Sequence, residues 1–316
     1  MRIGVLTSGG DAPGMNAAIR AVVRRGVYAG AEVIGVARGF AGLMVGELTP
    51  LDVGSVADIV HRGGTLLLTA RSPEFVRPEG VARAAREAAG LDVIVMIGGD
   101  GTLRGGAALE AAGVATVTVP ATIDDDVPYT DQTIGFDTAV NTVVAAADRI
   151  RDTATAHERT FVIEVMGRSR GFIAVHAGLA VGAESIVVPE LPVDLDDVCT
   201  RVERGHARGK RHSLILVAEG AATGPAVAEA VQARTGHETR ATVLGHVQRG
   251  GPPTAYDRAL AARLGEAAVA QALAGARGVM VAAHGPAVAT VPYAEVLAAL
   301  KPFETDLYEL ARTLAI

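Results

Sequence analysis

Two glycine-rich turns carry the residue types that bind phosphate groups. The first is Thr7–Gly14 (TSGGDAPG) and the second is Gly98–Thr102 (GGDGT), each between a predicted strand and a predicted helix. Glycine lets a phosphate approach the backbone, and a helix N-terminus attracts anions. The first turn is neither a GxGxxG motif nor a Walker P-loop, because no Lys-Ser or Lys-Thr pair ends it. An ordinary strand-to-helix turn stays open as the alternative for it.

Asp100 is the charged residue of the second turn. A carboxylate at this place repels a bare phosphate, and a bridging Mg²⁺ ion resolves that repulsion. Capping of the following helix is the alternative role for Asp100. The two roles are compatible, so the residue stays a candidate metal ligand.

A run of aspartates ends another predicted strand, in the segment Thr122-Ile123-Asp124-Asp125-Asp126. In an extended chain Asp124 and Asp126 share one face and Asp125 takes the other. Of two neighbouring carboxylates, one can accept a proton while the other holds a cation. A solvated acidic turn is the alternative, but three charges at the end of a buried strand are costly unless they are occupied.

Cationic and polar residues recur near the ends of the predicted elements of the second half. They are Arg159, Arg168, Glu219, Arg240, His246 and Arg249. Arginine forks match the geometry of phosphate, and histidine donates a further hydrogen bond. A single such residue is usually a surface charge. Their repeated position near strand ends favours a site for an anionic ligand.

The elements that position these residues alternate between apolar runs and alanine-rich stretches. The predicted strands are Ile3–Leu6, Val33–Val36, Val93–Ile97, Thr116–Val119, Phe161–Val165, Ser185–Val188, Leu214–Val217 and Val279–Ala282. The predicted helices are Asn16–Ala29, Ala82–Ala89, Leu103–Ala112, Thr138–Arg151, Phe172–Ala180, Leu195–His206, Ala226–Thr235, Arg258–Ala274 and Pro292–Leu300. Continuous apolar runs are typical of strands buried in a parallel sheet. The pattern predicts an α/β fold, in which ligands bind beyond the carboxyl ends of the strands.

The composition bounds the classes of function. The chain has 316 residues, 3% of them aromatic, with 38 glycines and a net charge of −6. The negative charge argues against a nucleic-acid-binding surface, and no apolar run is long enough for a membrane span. The single cysteine, Cys199, excludes an intramolecular disulfide and fits a reducing compartment. We therefore expect a cytoplasmic protein that binds neither nucleic acid nor membrane and holds its ligands with little base stacking.

Taken together, these segments resemble the bacterial ATP-dependent 6-phosphofructokinases over nearly the whole chain. The matching segments are Gly4–Arg20, Arg62–Phe75, Gly98–Thr102, Thr122–Phe136, Glu164–Arg168 and Glu238–Gly251. The GGDG turn alone is less specific, because related NAD and lipid kinases carry it. The resemblance implies transfer of the γ-phosphoryl group of ATP to the 1-hydroxyl of fructose 6-phosphate, with Mg²⁺. A Rossmann-type dehydrogenase is disfavoured because GxGxxG is absent after the first strand.

The resemblance assigns roles to individual residues. Asp124 matches the general base, with Thr122 and Asp126 beside it and Asp126 near the metal. Residues that match the nucleotide site are Gly10, Arg71, Ser72, Gly99, Asp100, Gly101 and Thr102, with Asp100 at Mg²⁺. Residues that match the sugar-phosphate site are Thr122, Ile123, Asp124, Arg159, Met166, Gly167, Arg168, Glu219, Arg240, His246 and Arg249. Arg71 and Arg168 match side chains that stabilise charge on the transferring phosphoryl group.

The resemblance also implies an assembly and a domain division. Arg159 and Arg240 match arginines that reach the 6-phosphate from a neighbouring subunit, which implies a homotetramer with shared active sites. We expect two doubly wound, mainly parallel-sheet domains with chain crossovers between them. The nucleotide-binding domain is expected to comprise residues 1–135 and 248–300, and the sugar-phosphate-binding domain residues 136–247 and 301–316.

Two departures from the family pattern carry expectations. Asp125 stands where the family usually has Asn, and its extra charge is expected to raise the pKa of Asp124 and displace the acid limb of the pH–rate profile upward. Val53 stands where an effector-site arginine is usual. The other matches to that site are Arg20, Arg24, Arg151, Glu184, Arg208, Lys210 and His212. We expect a weakened or altered response to ADP or phosphoenolpyruvate.

The choice of phosphoryl donor depends on two small residues. Pyrophosphate-dependent relatives typically carry Asp in place of Gly101 and Lys in place of Ala121. Here both positions are small, which leaves room for a nucleotide. ATP is therefore the predicted donor, and pyrophosphate is the alternative.

Overall fold

The computed structural model describes residues Met1–Ala315, and the chain divides into two compact units. Unit 1 comprises Met1–Asp137 and Arg249–Lys301. Within the described residues, unit 2 comprises Thr138–Gln248 and residues 302–315. The chain therefore leaves each unit and later returns to it.

Unit 1 is built on one seven-stranded sheet. Its strands are β1 (Arg2–Thr7), β2 (Glu32–Val36), β3 (Leu48–Leu51), β4 (Val93–Gly98), β5 (Thr116–Pro120), β10 (Val279–His284) and β11 (Ala287–Pro292). Its helices are α1 (Met15–Tyr28), α2 (Gly39–Leu43), α3 (Pro78–Glu87), α4 (Asp100–Ala111), α9 (Ala255–Leu273) and α10 (Tyr293–Ala298), and a 3₁₀ turn covers Ala88–Gly90. The strand order is β11-β10-β5-β4-β1-β2-β3, with antiparallel pairs only at the two edges of the sheet.

Unit 2 contains a four-stranded parallel sheet in the order β7-β8-β6-β9. Its strands are β6 (Thr160–Val165), β7 (Ser185–Val187), β8 (Ser213–Ala218) and β9 (Thr239–Val243). Its helices are α6 (Phe172–Val181), α7 (Leu195–Ala207), α8 (Gly224–Thr235) and α11 (Thr305–Leu314), with a 3₁₀ turn at Gly245–Gln248. The boundary between the units falls inside α5 (Phe136–His157). The parallel sheets with flanking helices confirm the predicted α/β, Rossmann-like fold class.

The apolar runs predicted the central strands correctly, because these strands are buried along most of their length. Strand β4 is buried at every position, and so is β8. The edge strands β3, β9 and β11 were not predicted, because most of their side chains are exposed or half-buried and break the apolar pattern. Helix α5 is longer at both ends than the predicted Thr138–Arg151. The short helix α2 and the C-terminal helix α11 were also missed.

One close helix contact in unit 1 depends on a glycine. Helix α1 packs on α9, and a β-carbon at Gly265 would lie 2.8 Å from the Cβ atom of Ala21 and 2.9 Å from the carbonyl oxygen of Ala18. Glycine therefore lets the two helices approach closely beside the central strands. Within the described chain, no helix is both long and apolar enough to cross a membrane.

Candidate functional site

The first glycine-rich turn of unit 1 follows β1 and is held from two sides. The hydroxyl of Thr102 donates to the carbonyl oxygen of Ser8 at 3.1 Å, and the hydroxyl of Thr69 donates to that of Gly9 at 2.7 Å. Gly9 has a φ of +87°. This left-handed conformation favours glycine. The turn is therefore fixed by hydrogen bonds from residues that are distant in sequence.

Gly10 is packed against Arg249, the first residue of the second chain segment of unit 1. A β-carbon at Gly10 would lie 2.6 Å from Nη1 of Arg249. The same guanidinium nitrogen donates to the carbonyl oxygen of Asp11 at 3.2 Å. The structure thus brings a predicted sugar-phosphate residue, Arg249, beside the predicted nucleotide residue Gly10. A side chain at position 10 would displace the guanidinium from its present position.

The second glycine-rich turn joins β4 to α4. Gly99 is the N-cap residue, and Asp100 is the first residue inside the helix. The carboxylate of Asp100 accepts from Nε of Arg104 at 3.0 Å and caps no backbone N–H group. The capping role considered for Asp100 is therefore wrong. Its side chain is half-exposed, so the carboxylate is accessible to solvent.

A cavity of about 460 Å³ opens beside both turns. Its lining includes Ser8, Gly9, Gly101 and the predicted residues Arg71 and Ser72. This volume is in the range of small-molecule sites. A β-carbon added at Gly101 would meet nothing within 4 Å, so the turn leaves open space at this point.

Two phenylalanines also line this cavity, and sequence reasoning did not single them out. The rings of Phe40 and Phe75 stack on each other with centroids 4.0 Å apart. Phe75 ends a segment on which the family resemblance rests, and this was the signal available for it. Each ring covers one face of the other, and that face is not available to a nucleotide base. That the base is held with little stacking stays a prediction.

The aspartate run follows β5, and its first members are buried. Thr122 is 9% exposed, Asp124 is 3% exposed and Asp125 is 1% exposed. The backbone N–H of Asp124 donates to Oγ1 of Thr122 at 3.2 Å. Asp125 has a φ of +52°, in the left-handed region, so the segment is not extended. The prediction that Asp124 and Asp126 share one face of an extended segment therefore rests on a wrong backbone conformation. Asp125 binds Thr133 and Lys301.

Asp125 forms an ion pair that the sequence did not indicate. Its Oδ2 atom lies 2.6 Å from Nζ of Lys301, within unit 1. Burial raises the pKa of Asp125 to about 6, and the Lys301 ammonium opposes that rise. The sequence analysis expected the charge of Asp125 to raise the pKa of Asp124 and to displace the acid limb of the pH–rate profile. Lys301 compensates that charge, so the reason for the expected displacement no longer holds.

The candidate metal ligands form a sparse donor set. Among residues Met1–Ala315 no three acidic, histidine or cysteine side chains gather into a metal cage. Mg²⁺ usually binds one or two carboxylates together with phosphate oxygens and water. The half-exposed Asp100 and the half-buried Asp126 fit such a role in unit 1.

In unit 2, the loop after β6 has a constrained backbone. Gly167 has a φ of +138° and Arg168 a φ of +54°. The N–H of Arg168 donates to Oε1 of Glu219 at 2.9 Å, so two predicted residues are in direct contact. The left-handed backbone at Arg168 is costly for a non-glycine residue, and such conformations cluster at functional sites. Arg168 is itself an exposed residue.

Two predicted arginines of unit 2 share one carboxylate. Nε of Arg159 lies 2.8 Å from Glu238, and Nη2 of Arg240 lies 2.5 Å from it. Glu238 leaves a net positive charge on this group of three. His246 is exposed in the 3₁₀ turn, and its neighbour Gln248 is fully buried. Gln248 accepts from the N–H of Met166 at 3.3 Å, a contact that no sequence motif indicated.

Four of the predicted effector residues form a second charged group in unit 2. Lys210 forms an ion pair with the buried Glu184, whose Oε2 accepts from the N–H of Leu214 at 2.5 Å. Arg151 donates to the carbonyl oxygen of Val181, and Nδ1 of His212 lies 3.1 Å from the hydroxyl of Thr155. Burial lowers the pKa of His212, and Lys210 and Arg151 lower it further.

The predicted residues divide between the two units. Those in unit 1 are Gly10, Arg20, Arg24, Arg71, Ser72, Gly99, Asp100, Gly101, Thr102, Thr122, Ile123, Asp124, Asp126 and Arg249. Those in unit 2 are Arg151, Arg159, Met166, Gly167, Arg168, Glu184, Arg208, Lys210, His212, Glu219, Arg240 and His246. Arg20 and Arg24 lie one turn apart on α1, and Arg208 is exposed at the end of α7. Val53 is half-exposed.

Comparison with known proteins gives strong matches over the whole chain. The phosphofructokinase family model matches residues 2–272. The ATP-dependent 6-phosphofructokinase of Halalkalibacterium halodurans is 52% identical over 100% of this chain and 99% of that protein. The enzymes of the same name from Brevibacillus brevis and Bacillus subtilis are 51% and 52% identical, with the same coverage.

Solved structures agree with these matches. The phosphofructokinase of Saccharomyces cerevisiae has a TM-score of 0.88 and 34% identity, and the match covers 100% of this chain and 48% of the yeast chain. A pyrophosphate-dependent phosphofructokinase from Marinobacter aquaeolei has a TM-score of 0.87 and 22% identity, covering 99% of this chain and 91% of that chain. The second similarity supports the fold alone.

Proposed function

The chain belongs to the phosphofructokinase family, and we propose that it transfers the γ-phosphoryl group of ATP to the 1-hydroxyl of fructose 6-phosphate. The products are ADP and fructose 1,6-bisphosphate. The observation that carries this proposal is the 52% identity to an ATP-dependent enzyme over the full length of both chains. The small residues at Gly101 and Ala121 support ATP over pyrophosphate as the donor.

We propose that the cavity in unit 1 accepts the nucleotide. Phosphate groups would lie at the Gly9–Gly10 turn and at the N-terminus of α4, where backbone N–H groups and the helix dipole favour anions. Arg71 lines the same cavity and supplies a cation for the phosphates. The stacked pair Phe40 and Phe75 provides apolar surface for the base.

The donor set fits a magnesium ion carried in with ATP. Asp100 and Asp126 would hold it through one or two carboxylate contacts, directly or through water. When bound, Mg²⁺ neutralises charge on the β- and γ-phosphate oxygens. The remaining chemistry falls to side chains of this chain.

We propose that Asp124 is the general base. Its carboxylate takes the proton of the 1-hydroxyl while that oxygen bonds to the γ-phosphorus, and the bond from phosphorus to the leaving ADP oxygen breaks. Thr122 fixes the local backbone by accepting from the N–H of Asp124. Arg71 and Arg168 stabilise the charge on the transferring group, because this type of reaction depends mostly on positioning and electrostatics.

Fructose 6-phosphate is the proposed ligand of the unit 2 residues. Met166, Gly167, Arg168 and Glu219 lie together in two adjoining loops after β6 and β8. Arg159 and Arg240 present a net positive charge through their shared Glu238, which suits a phosphate. By family resemblance these two arginines serve the neighbouring subunit in a homotetramer. Arg249 and His246 also match the sugar-phosphate site by that resemblance.

Product identification tests the proposed reaction. Purified protein is incubated with Mg-ATP and fructose 6-phosphate, and phosphorus and carbon NMR follow the products. We expect ADP and a new phosphate ester on carbon 1 of the sugar. Phosphorylation at another hydroxyl, or ATP hydrolysis without sugar phosphorylation, would overturn the proposal.

Gly101→Asp is expected to weaken ATP binding. The turn leaves open space at Gly101, so the new side chain fits without displacing the backbone and projects into a site for anionic phosphates. We expect the KM for ATP to rise about tenfold or more, through crowding and charge repulsion, with the KM for fructose 6-phosphate little changed. Steady-state kinetics measure this, and Gly101→Ala separates added bulk from added charge. An unchanged KM for ATP in Gly101→Asp would show that this turn does not approach the nucleotide.

We propose that Arg151, Glu184, Lys210 and His212 bind a phosphate-bearing effector, with Arg20, Arg24 and Arg208 contributing as the resemblance implies. Burial lowers the pKa values of Lys210 and His212, and repulsion from neighbouring cations lowers them further. Glu184 pairs with Lys210, so one carboxylate faces the two cations Lys210 and Arg151 and the group keeps a net positive charge. A bound phosphate would relieve the repulsion and raise the pKa of His212.

Effector affinity is therefore expected to depend on pH. A histidine with a lowered pKa is neutral near pH 7, and anion binding draws a proton onto it. We expect affinity for ADP or phosphoenolpyruvate to increase as the pH falls from neutral toward the lowered pKa of His212, and His212→Gln to flatten this dependence. Calorimetric titration at several pH values measures it. Identical slopes for the parent and His212→Gln would exclude His212 from the site.

A further inference from the structure

A buried ion pair ties the aspartate run to a distant part of unit 1. Nζ of Lys301 lies 2.6 Å from Oδ2 of Asp125 and donates to the carbonyl oxygen of Asp131 at 2.9 Å. The Lys301 side chain is 9% exposed and the Asp125 side chain is 1% exposed. A lysine this deeply buried is rare unless it has a charged partner. The pair is therefore a specific feature of the loop that carries Asp124.

The other oxygen of Asp125 is also engaged. Oδ1 accepts from the N–H of Thr133 at 2.8 Å and from its hydroxyl at 3.2 Å. The hydroxyl of Thr133 in turn donates to the carbonyl oxygen of Thr122 at 2.7 Å. This network joins both ends of the segment from Thr122 to Asp125 through buried hydrogen bonds.

The backbone at Asp125 needs such support. Its φ of +52° is a conformation that non-glycine residues adopt at a cost, and surrounding contacts must hold it. Asp125 lies between Asp124 and Asp126 in the chain, so a rotation of its backbone would move both neighbours. The ion pair with Lys301 ties this residue to a distant part of the chain, and a hydrogen bond between two charged groups is stronger than a neutral one.

We infer that Lys301 is a positioning residue for phosphoryl transfer: through Asp125 it fixes the loop that carries Asp124 and Asp126. The inference rests on the proposed function. Lys301 does not touch the reacting groups in this role, and its effect reaches them through the backbone of the loop. The ion pair also makes Asp, rather than Asn, the matching residue at position 125, because an amide NH₂ would face the ammonium donor to donor.

Single substitutions should therefore damage turnover more than binding. Lys301→Gln removes the cation that pairs with the buried carboxylate of Asp125, and Asp125→Asn removes the carboxylate that pairs with the buried ammonium. Small displacements of catalytic groups reduce rates by up to about a hundredfold. We expect either variant to lower kcat by about ten- to a hundredfold. The KM for ATP should stay within about threefold of the parent, because the nucleotide cavity does not involve these residues.

The double variant Asp125→Asn with Lys301→Gln is the decisive rescue. The glutamine oxygen can accept from the new asparagine amide, and its NH₂ group can donate to the Asp131 carbonyl that Lys301 now binds. Because the double variant replaces both charged partners of this ion pair together, kcat should return to within about threefold of the parent. Arg25→Met is the matched control, since it removes an exposed ion pair of unit 1 with Glu266. It should leave kcat unchanged.

The test separates this inference from the proposed function. Each variant is assayed well below its melting temperature, and circular dichroism confirms folding. If Lys301→Gln does not fold, Lys301→Met replaces it, because it also removes the cation at similar side-chain length, with the same expected loss in kcat. Parental kcat in the single variants, or a double variant no better than the worse single, would overturn the positioning role. An inactive parent would instead overturn the proposed function.

Discussion

Replacing Asp124 with Asn is expected to lower kcat by between about 10² and 10⁴, the usual contribution of a positioned general base. The carboxyl group is 3% exposed at the end of β5, and asparagine keeps its size while losing the ability to take the 1-hydroxyl proton. The KM for fructose 6-phosphate should change little, because the lost interaction develops mainly in the transition state. Steady-state kinetics with saturating Mg-ATP measure both quantities.

A matched control separates chemistry from folding in this experiment. Asp92→Asn makes the same change at an exposed carboxyl just before β4, at the opposite end of the sheet from the glycine-rich turns. It should keep parental kcat. If Asp124→Asn retains a kcat within about threefold of the parent while folded, Asp124 is not the base.

Arg168→Ala is expected to lower kcat by about 10³, as removal of a cation from a transferring phosphoryl group does in other enzymes. Arg168→Lys should recover only part of this loss, because the ammonium keeps the charge but cannot form two parallel hydrogen bonds. Neither variant should disturb the loop, since the contact to Glu219 uses the backbone N–H of residue 168. Single-turnover kinetics with limiting ATP measure the chemical step directly.

The control for Arg168 lies in the same unit. Arg234→Lys alters an exposed arginine that pairs with Asp196 at 2.8 Å, and it should leave turnover unchanged. If Arg168→Ala changes only the KM for fructose 6-phosphate and not the single-turnover rate, Arg168 binds substrate uniformly and does not act in the transition state.

The sequence predicted the parts of the fold that depend on local pattern. Buried parallel strands such as β4 and β8 are continuous apolar runs, and the glycines of Gly98–Thr102 mark where the chain must turn. Edge strands such as β9 carry exposed polar residues, so their pairing depends on the neighbouring strand and not on their own sequence. This difference explains why the buried strands were predicted, including the edge strand β7, and why the exposed edge strands β3, β9 and β11 were not.

Contacts between residues distant in sequence were beyond local pattern reading. Lys301 and Asp125 are 176 positions apart, and Arg249 and Asp11 are 238 apart. Neither pair has a motif that indicates its partner. The left-handed backbone at Asp125 was also missed, because the run was treated as extended. The residue types of the candidate site were therefore predictable, whereas the geometry that holds them depends on the tertiary fold.

The most direct test of the proposed activity compares the two possible phosphoryl donors. Initial rates are measured with saturating fructose 6-phosphate and Mg²⁺, once with ATP and once with pyrophosphate, by a coupled assay for fructose 1,6-bisphosphate. The account predicts rapid product formation with ATP and a rate at background with pyrophosphate. Product formation with pyrophosphate and none with Mg-ATP would contradict it.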